Sequence, residues 1–308
     1  MNRKVTVVGA GNVGASCALY LAEANLADVM LIDVIEDMPQ GKALDLSEAG
    51  PVRGYDVKVE GSNDYAAAEG SALVVITAGI ARKPGMSRED LLNTNIKIMD
   101  SVMTGISRHA PGAMILVVSN PLDVMTHRAW KKSGLPAHKV FGQAGVLDAT
   151  RFRTFVAMEL GCAMTDTQAM VLGGHGDSMV PLPRYTTVGG VPITELIAHD
   201  RIDAIVQRTR DGGAEIVKLL KSGSAYYAPA ASTVHMADAV LNDRKSILPA
   251  SAHLDGQYGL KDVYVGVPVT LGAGGIEKIH ELKLDKSELE ALQKSANVYK
   301  EIIAGLAA

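Results

Sequence analysis

Gly9-Ala10-Gly11-Asn12-Val13-Gly14 follows the apolar run Val5-Thr6-Val7-Val8 and leads into an Ala-rich segment over 13–24. It is a G-x-G-x-x-G motif between a strand pattern and a helix pattern, and each glycine has a physical reason. The first permits a tight turn, the second lets backbone approach a pyrophosphate, and the third lets helix pack closely on strand. The helix N-terminus adds unpaired N–H groups and partial positive charge for phosphates. Alone, the motif is shared with methyltransferases and unrelated loops. Its context narrows it: Asp33 ends the next apolar run, Val29-Met30-Leu31-Ile32, at the offset of about 20 residues expected of an acid that bonds ribose hydroxyls. A carboxylate there repels a 2′-phosphate, and Val34-Ile35-Glu36 brings no arginine, which favours NAD over NADP. The bland alternative is a tight turn followed by an ordinary strand-end aspartate.

The alternation continues outward from that motif. A helix is expected over 39–49, strands near 57–59, 73–76 and 114–118, and helices over 88–109 and 122–132. Continuous apolar strands separated by helices imply a parallel sheet covered on both faces, and right-handed crossovers make it a doubly wound, Rossmann-type α/β sheet. The second half reads as a mixed α+β domain. Residues 148–160 look helical and 168–172 strand-like, and 246–270 favours antiparallel strands with Gly turns. Apolar residues from Ile202 to Leu220 keep helical spacing, but Gly212-Gly213 should weaken or bend that helix. Ser287 and Glu290 form a capping-box pattern for a last helix. No internal repeat stands out. The expected division is 1–145 for a cofactor domain and 146–308 for a catalytic one.

Composition excludes other classes. The 308 residues are 47% hydrophobic and 21% charged, which rules out disorder and collagen. Lys+Arg 30 against Asp+Glu 34, with only 4% aromatic residues, argues against nucleic-acid binding, which wants basic excess and stacking rings. No apolar stretch reaches the ~20 residues of a membrane span. The run behind Met1-Asn2-Arg3-Lys4 is too short for a signal-peptide core. Cys17 and Cys162 cannot build a disulfide framework or a cysteine metal site. A cytoplasmic protein that uses no metal is expected.

Three further stretches carry chemistry. Arg82-Lys83-Pro84-Gly85-Met86-Ser87-Arg88 follows a strand through Thr77-Ala78-Gly79, where open α/β sheets bind ligands; arginine forks match carboxylates. A solvated charged loop is the plain alternative. His175 sits in Gly173-Gly174-His175-Gly176-Asp177, where absent side chains admit a ligand and an imidazole can exchange a proton near neutrality. Asp148, within Leu147-Asp148-Ala149-Thr150-Arg151, is the candidate to orient that ring, and Arg151 shares its helix face. A capping aspartate beside a surface arginine is the competing reading.

In order and spacing, Gly9 to Gly14, Asp33, Thr77 to Arg88, Ser119-Asn120-Pro121, Leu147 to Arg151 and Gly173 to Asp177 together resemble the lactate/malate dehydrogenase family along essentially the whole chain. The resemblance implies NAD as cofactor, held by Gly9, Ala10, Gly11, Asn12, Val13, Gly14, Asp33, Asn95, Val118, Ser119 and Asn120. It implies His175 as proton acceptor paired with Asp148, and Arg151 as the clamp on the substrate's C1 carboxylate. Arg88 and Asn120 would engage the reacting oxygen as the 80–90 loop closes. Family members acting on lactate typically carry Gln where this chain has Arg82, and those acting on malate carry Arg. The chemistry agrees, since a second carboxylate buried without a partner is costly. The expected reaction is reversible oxidation of (S)-malate to oxaloacetate in a homo-oligomer, a tetramer more than a dimer. Rival readings are a lactate or broad 2-hydroxy-acid dehydrogenase, a metal-using NAD-dependent glycosidase of related fold, and a non-catalytic NAD-binding paralogue.

Overall fold

The structure is a computed structural model that describes residues 3–80 and 87–306. The chain packs into two compact units. One is built from Met1–Gln143, Tyr226–Ser246 and Leu271–Glu277, the other from Ala144–Ala225, Ile247–Thr270 and Lys278–Ala308. The sequence division at 145/146 thus differs from the packing, in which two later segments return to the first unit.

The first unit opens with β1 (Lys4–Val8), α1 (Asn12–Glu23), β2 (Asp28–Ile32), α2 (Met38–Arg53), β3 (Val59–Ser62), β4 (Leu73–Ile76), α3 (Arg88–His109), β5 (Met114–Val117), α4 (Leu122–Ser133) and β6 (Val140–Gly142). The strands stand in the order β6-β5-β4-β1-β2-β3, every pair parallel. Val5 registers with Val29 on one side and Leu73 on the other. The order reverses direction between β1 and β4, so the carboxyl ends of these two strands form the switch point where such sheets bind ligands. Strand residues buried on both faces explain the unbroken Val/Ile/Leu runs. Two expectations shift here. The strand sought near 57–59 runs over Val59–Ser62, and α2 extends to Arg53 with Pro51 inside it.

In the second unit, α5 (Ala144–Leu160) precedes four two-residue strands, β7 (Thr167–Gln168), β8 (Val171–Leu172), β9 (Val180–Pro181) and β10 (Thr187–Val188). β11 (Val191–Pro192), α6 (Ile193–Leu196) and α7 (His199–Leu220) follow. The single strand expected over 168–172 is in fact divided: β7 pairs with β10, and β8 pairs with β9. Phe152, Val156, Val171, Met179, Ile202 and Ile205 form the buried core behind these elements. α7 is continuous, so the expected bend at Gly212-Gly213 does not occur; the reason lies in the site described below.

α8 (Tyr227–Leu241) belongs to the first unit and packs on α1, where Cys17 is buried. Burial pushes that thiol up to about 12, which keeps it protonated and inert. β12 (Ser246–Asp255), β13 (Lys261–Gly272) and β14 (Gly275–Ile279) are neighbours in the order β14-β13-β12. Their short connections leave no room for a parallel crossover, so they run antiparallel. The last helix, α9 (Lys286–Ala304), is capped by Asp285 and Glu288. The capping box expected at Ser287 and Glu290 therefore sits two residues earlier. Among the described residues no helix is long and apolar enough to cross a membrane.

Candidate active site

Within the first unit, the candidate site is the turn from β1 into α1. Gly9 has φ +101°, and a Cβ there would lie 2.7 Å from Thr77 Oγ1. A Cβ on Gly14 would meet the Gly9 carbonyl oxygen at 1.8 Å, so close packing alone requires glycine at 14. Gly11 is different: nothing stands within 4 Å of its missing side chain. Open space in front of a bare backbone is what a pyrophosphate needs, so the residues present fit a dinucleotide. Asn12 is exposed on the first turn of α1, Val13 is half-buried, and Ala10 is buried beneath the turn. Asp33 sits just past β2, its Oδ2 accepting from Ala10 N–H (2.7 Å) and its Oδ1 from Ile35 N–H (3.0 Å). Each carboxylate oxygen keeps lone-pair capacity for a ribose hydroxyl.

At the ends of β4 and β5 a second set of backbone and side-chain bonds forms. Val118 N–H and Ser119 N–H both donate to Ile76 O, and Ser119 Oγ donates to Ala78 O at 2.6 Å. Asn95, on α3 and buried, accepts from Ile80 N–H (2.9 Å) and donates to Asn120 O (2.8 Å). Asn95 therefore ties the end of the 77–80 segment to Asn120, whose own side chain is exposed. Arg82 lies outside the described residues. Arg88 opens α3, but its side chain also lies outside what is described. Ser87 and Asp90 cap that helix reciprocally; the Ser-x-x-Asp spacing was a usable signal for this start that the sequence reading did not exploit.

A separate cluster, within the second unit, stands on α5. Asp148 is 1% exposed, and His175 Nδ1 lies 3.0 Å from its Oδ1 and 3.1 Å from its Oδ2. Arg151, one turn along, has Nη1 3.6 Å from Asp148 Oδ1. Its Nε is buried with no hydrogen-bond partner. Burial pushes the guanidinium below its ordinary value and Asp148 offsets part of that. A buried guanidinium with an unused donor is prepared for an anion. Sequence thus placed Asp148, Arg151 and His175 correctly as neighbours, although Asp148 stands in the second turn of α5 and not at the helix start.

Three contributors to this cluster were missed. Gly212 and Gly213 of α7 face the Arg151 side chain: a Cβ on Gly212 would come 3.2 Å from Arg151 Cδ, and one on Gly213 3.5 Å from Nη2. The glycine pair makes room for the arginine, and α7 continues unbroken through it while packing on α5. The third contributor is the pair of backbone bonds between Gly173 and Gly266 (2.9 and 3.0 Å), which pins the start of the histidine loop to β13. Among the described residues no cluster of three or more His, Cys, Asp or Glu could hold a metal ion.

A dinucleotide-binding unit and a histidine seated on a carboxylate, carried by one chain, are the requirements of a nicotinamide-dependent oxidoreductase. Comparison with known proteins narrows that class. Residues 3–142 match the lactate/malate dehydrogenase NAD-binding domain, and residues 145–308 match the lactate/malate dehydrogenase alpha/beta C-terminal domain. The chain belongs to the lactate/malate dehydrogenase family, and NAD is its cofactor. A relative named malate dehydrogenase from Thermomicrobium roseum is 58% identical over 306 residues, covering 99% of both chains. The apo malate dehydrogenase structure from Picrophilus torridus superposes with a TM-score of 0.96 at 44% identity, covering 99% of this chain and 97% of that one. The Cryptosporidium parvum lactate dehydrogenase, solved with lactic acid and nicotinamide adenine dinucleotide, gives 0.95 at 43% identity, covering 100% and 99%.

Proposed function

We propose that this chain catalyses the reversible, NAD-dependent oxidation of (S)-malate to oxaloacetate, with His175 as the proton acceptor. The observation that carries this reading is the His175–Asp148 contact beside the buried, partly unbonded Arg151 guanidinium. NAD, when bound, supplies the hydride acceptor for the oxidation and the hydride donor for the reverse reaction. Gly9 to Gly14, Asp33, Asn95, Val118, Ser119 and Asn120 would hold it.

The protein's own groups do the rest. Arg151 takes the C1 carboxylate of the substrate as a planar fork. His175 Nε2 takes the hydroxyl proton as the C2–O bond becomes a carbonyl, and Asp148 keeps the ring oriented and stabilises the imidazolium. Arg88 and Asn120 bond the reacting oxygen. Arg82 takes the second carboxylate; facing the methyl group of pyruvate it would be left without a partner, which is a strong basis for discrimination. Kinship with enzymes named malate dehydrogenase supports the same choice, while fold alone does not separate malate from lactate. The chain works in the cytoplasm as a homo-oligomer, a tetramer before a dimer, which light scattering tests.

The deciding experiment compares NADH oxidation with oxaloacetate and with pyruvate. Oxaloacetate should be reduced much faster, and Arg82→Gln should lose that activity disproportionately. Equal or reversed rates in the unaltered enzyme would remove the malate assignment. Tight NADH binding with no turnover on either acid would point instead to a non-catalytic paralogue.

A further inference from the structure

The loop that presents His175 is held from behind by the C-terminal helix. Ser295 and Tyr299 lie four residues apart on α9, one helical turn, and both are buried. Tyr299 Oη donates to the main-chain carbonyl of His175 at 3.1 Å. Ser178 Oγ stands 3.2 Å from the same hydroxyl. With the tyrosine proton directed at His175 O, the serine is the donor in that second bond. Ser295 Oγ accepts from Gly174 N–H at 2.9 Å. The Tyr299 ring occupies the place of a side chain at 174: a Cβ there would fall 1.9 Å from Cε2.

We propose that Tyr299 is a positioning residue for the proton acceptor, assisted by Ser295; this rests on the function proposed above. Gly173, Gly174 and Gly176 leave the backbone around His175 with many accessible conformations. Asp148 orients the imidazole only after the His175 Cα is in place. The Gly173–Gly266 bonds fix the loop's start, where Ser295 adds a bond to the N–H of the same Gly173–Gly174 peptide, but the peptide on the far side of His175 is fixed by the Tyr299 hydroxyl. The tyrosine ring supplies packing, and its hydroxyl supplies alignment. These two contributions can be separated by experiment.

Tyr299→Phe keeps the ring and removes the hydroxyl. It is assayed in the full chain with oxaloacetate, using NADH and NADH deuterated at the transferred C4 position, and NADH stoichiometry is measured by fluorescence titration. Misplacing a reacting group by a fraction of an ångström slows chemistry without weakening binding, so kcat should fall about tenfold while the KM for oxaloacetate stays within about twofold. The deuterium isotope effect should rise, because hydride transfer limits turnover more heavily, and NADH stoichiometry should be unchanged. Ser295→Ala, which leaves the tyrosine in place, should move kcat and the isotope effect in the same direction and serves if Tyr299→Phe fails to fold. A kcat and isotope effect equal to those of the unaltered enzyme overturn the proposal. So does a fall in kcat matched by a fall in NADH stoichiometry with the isotope effect unmoved, which marks a purely structural role. Inactivity of the unaltered enzyme with oxaloacetate, measured first, counts against the proposed function and is thereby kept distinct.

Discussion

His175 Nδ1 faces both oxygens of Asp148, at 3.0 and 3.1 Å. An ionised carboxylate only accepts hydrogen bonds. The proton of the neutral imidazole therefore sits on Nδ1, which leaves Nε2 with the lone pair that a base needs. Asp148→Asn keeps the shape but offers an amide N–H to the ring, and that favours the other tautomer. The kcat with oxaloacetate should fall ~10²–10⁴-fold. NADH affinity should hold, because Asp148 and the glycine turn belong to different units. Steady-state rates together with an NADH fluorescence titration check both statements; a full-rate Asp148→Asn variant would remove Asp148 from the mechanism.

Asp33 is the residue that should decide between nicotinamide cofactors. Its carboxylate is fixed by Ala10 N–H and Ile35 N–H, so it cannot swing away from a 2′-phosphate. Like charges brought together in this way cost several kcal/mol. Asp33→Ser retains an acceptor for Ala10 while removing the charge. Its kcat/KM with NADPH should rise ~10-fold or more, each 1.4 kcal/mol of relieved repulsion being worth a factor of ten, while the value with NADH falls. An unchanged NADH-to-NADPH ratio would show that selectivity resides elsewhere.

What the sequence made legible follows from how local each signal is. The glycine turn, the acid after β2 and the strands β1, β2, β4 and β5 are written in runs of neighbouring residues and appear where expected, whereas β3 begins only at Val59 and the short β6 carries too few residues to stand out. The α9 start was misplaced because Asp285-x-x-Glu288 and Ser287-x-x-Glu290 satisfy the same spacing; backbone geometry chose the first. Gly212-Gly213 reads as a helix weakness by propensity, yet the pair serves the Arg151 side chain, a partner some 60 residues away in sequence. Tyr299 and Ser295 fall in the last helix the sequence predicts, but their partners are 121–124 residues distant. Division of 168–172 into β7 and β8 likewise depends on β10 and β9, which no local pattern names.

Arg128 and Asp100 join α4 to α3 through two parallel bonds, Nε to Oδ1 at 2.6 Å and Nη2 to Oδ2 at 2.7 Å. The hydrogen bonds from Arg128 hold the Asp100 carboxyl below its ordinary range, and burial opposes them. A carboxyl lowered in the folded state contributes stability above its unfolded pKa and loses it as pH falls through the folded value. The pair is partly solvated, so Asp100→Asn should cost only about 0.5–1 kcal/mol at neutral pH. Urea unfolding should show that difference closing in acid, below the ordinary aspartate range. A difference that persisted in acid would assign the effect to packing, not charge.

Gly212 and Gly213 set helix stability against substrate binding in one place. Alanine at either position of α7 should stabilise the helix by up to about 1 kcal/mol through propensity and reduced unfolded-state freedom. At 213 the new Cβ would meet Arg151 Nη2 at an ordinary 3.5 Å, whereas at 212 it would meet Cδ at 3.2 Å, and the arginine stem must yield by a few tenths of an ångström. A clamp shifted that far loses part of its fork alignment, and misplacement by a whole ångström can cost ~10²-fold. Gly212→Ala should therefore raise the KM for oxaloacetate about three- to tenfold. Gly213→Ala should leave it close to the original while giving the same gain or more in melting temperature. Thermal melts paired with steady-state kinetics separate the two. Equal KM values for both variants would mean that α7 does not set the position of Arg151, and that the glycines answer to some other neighbour.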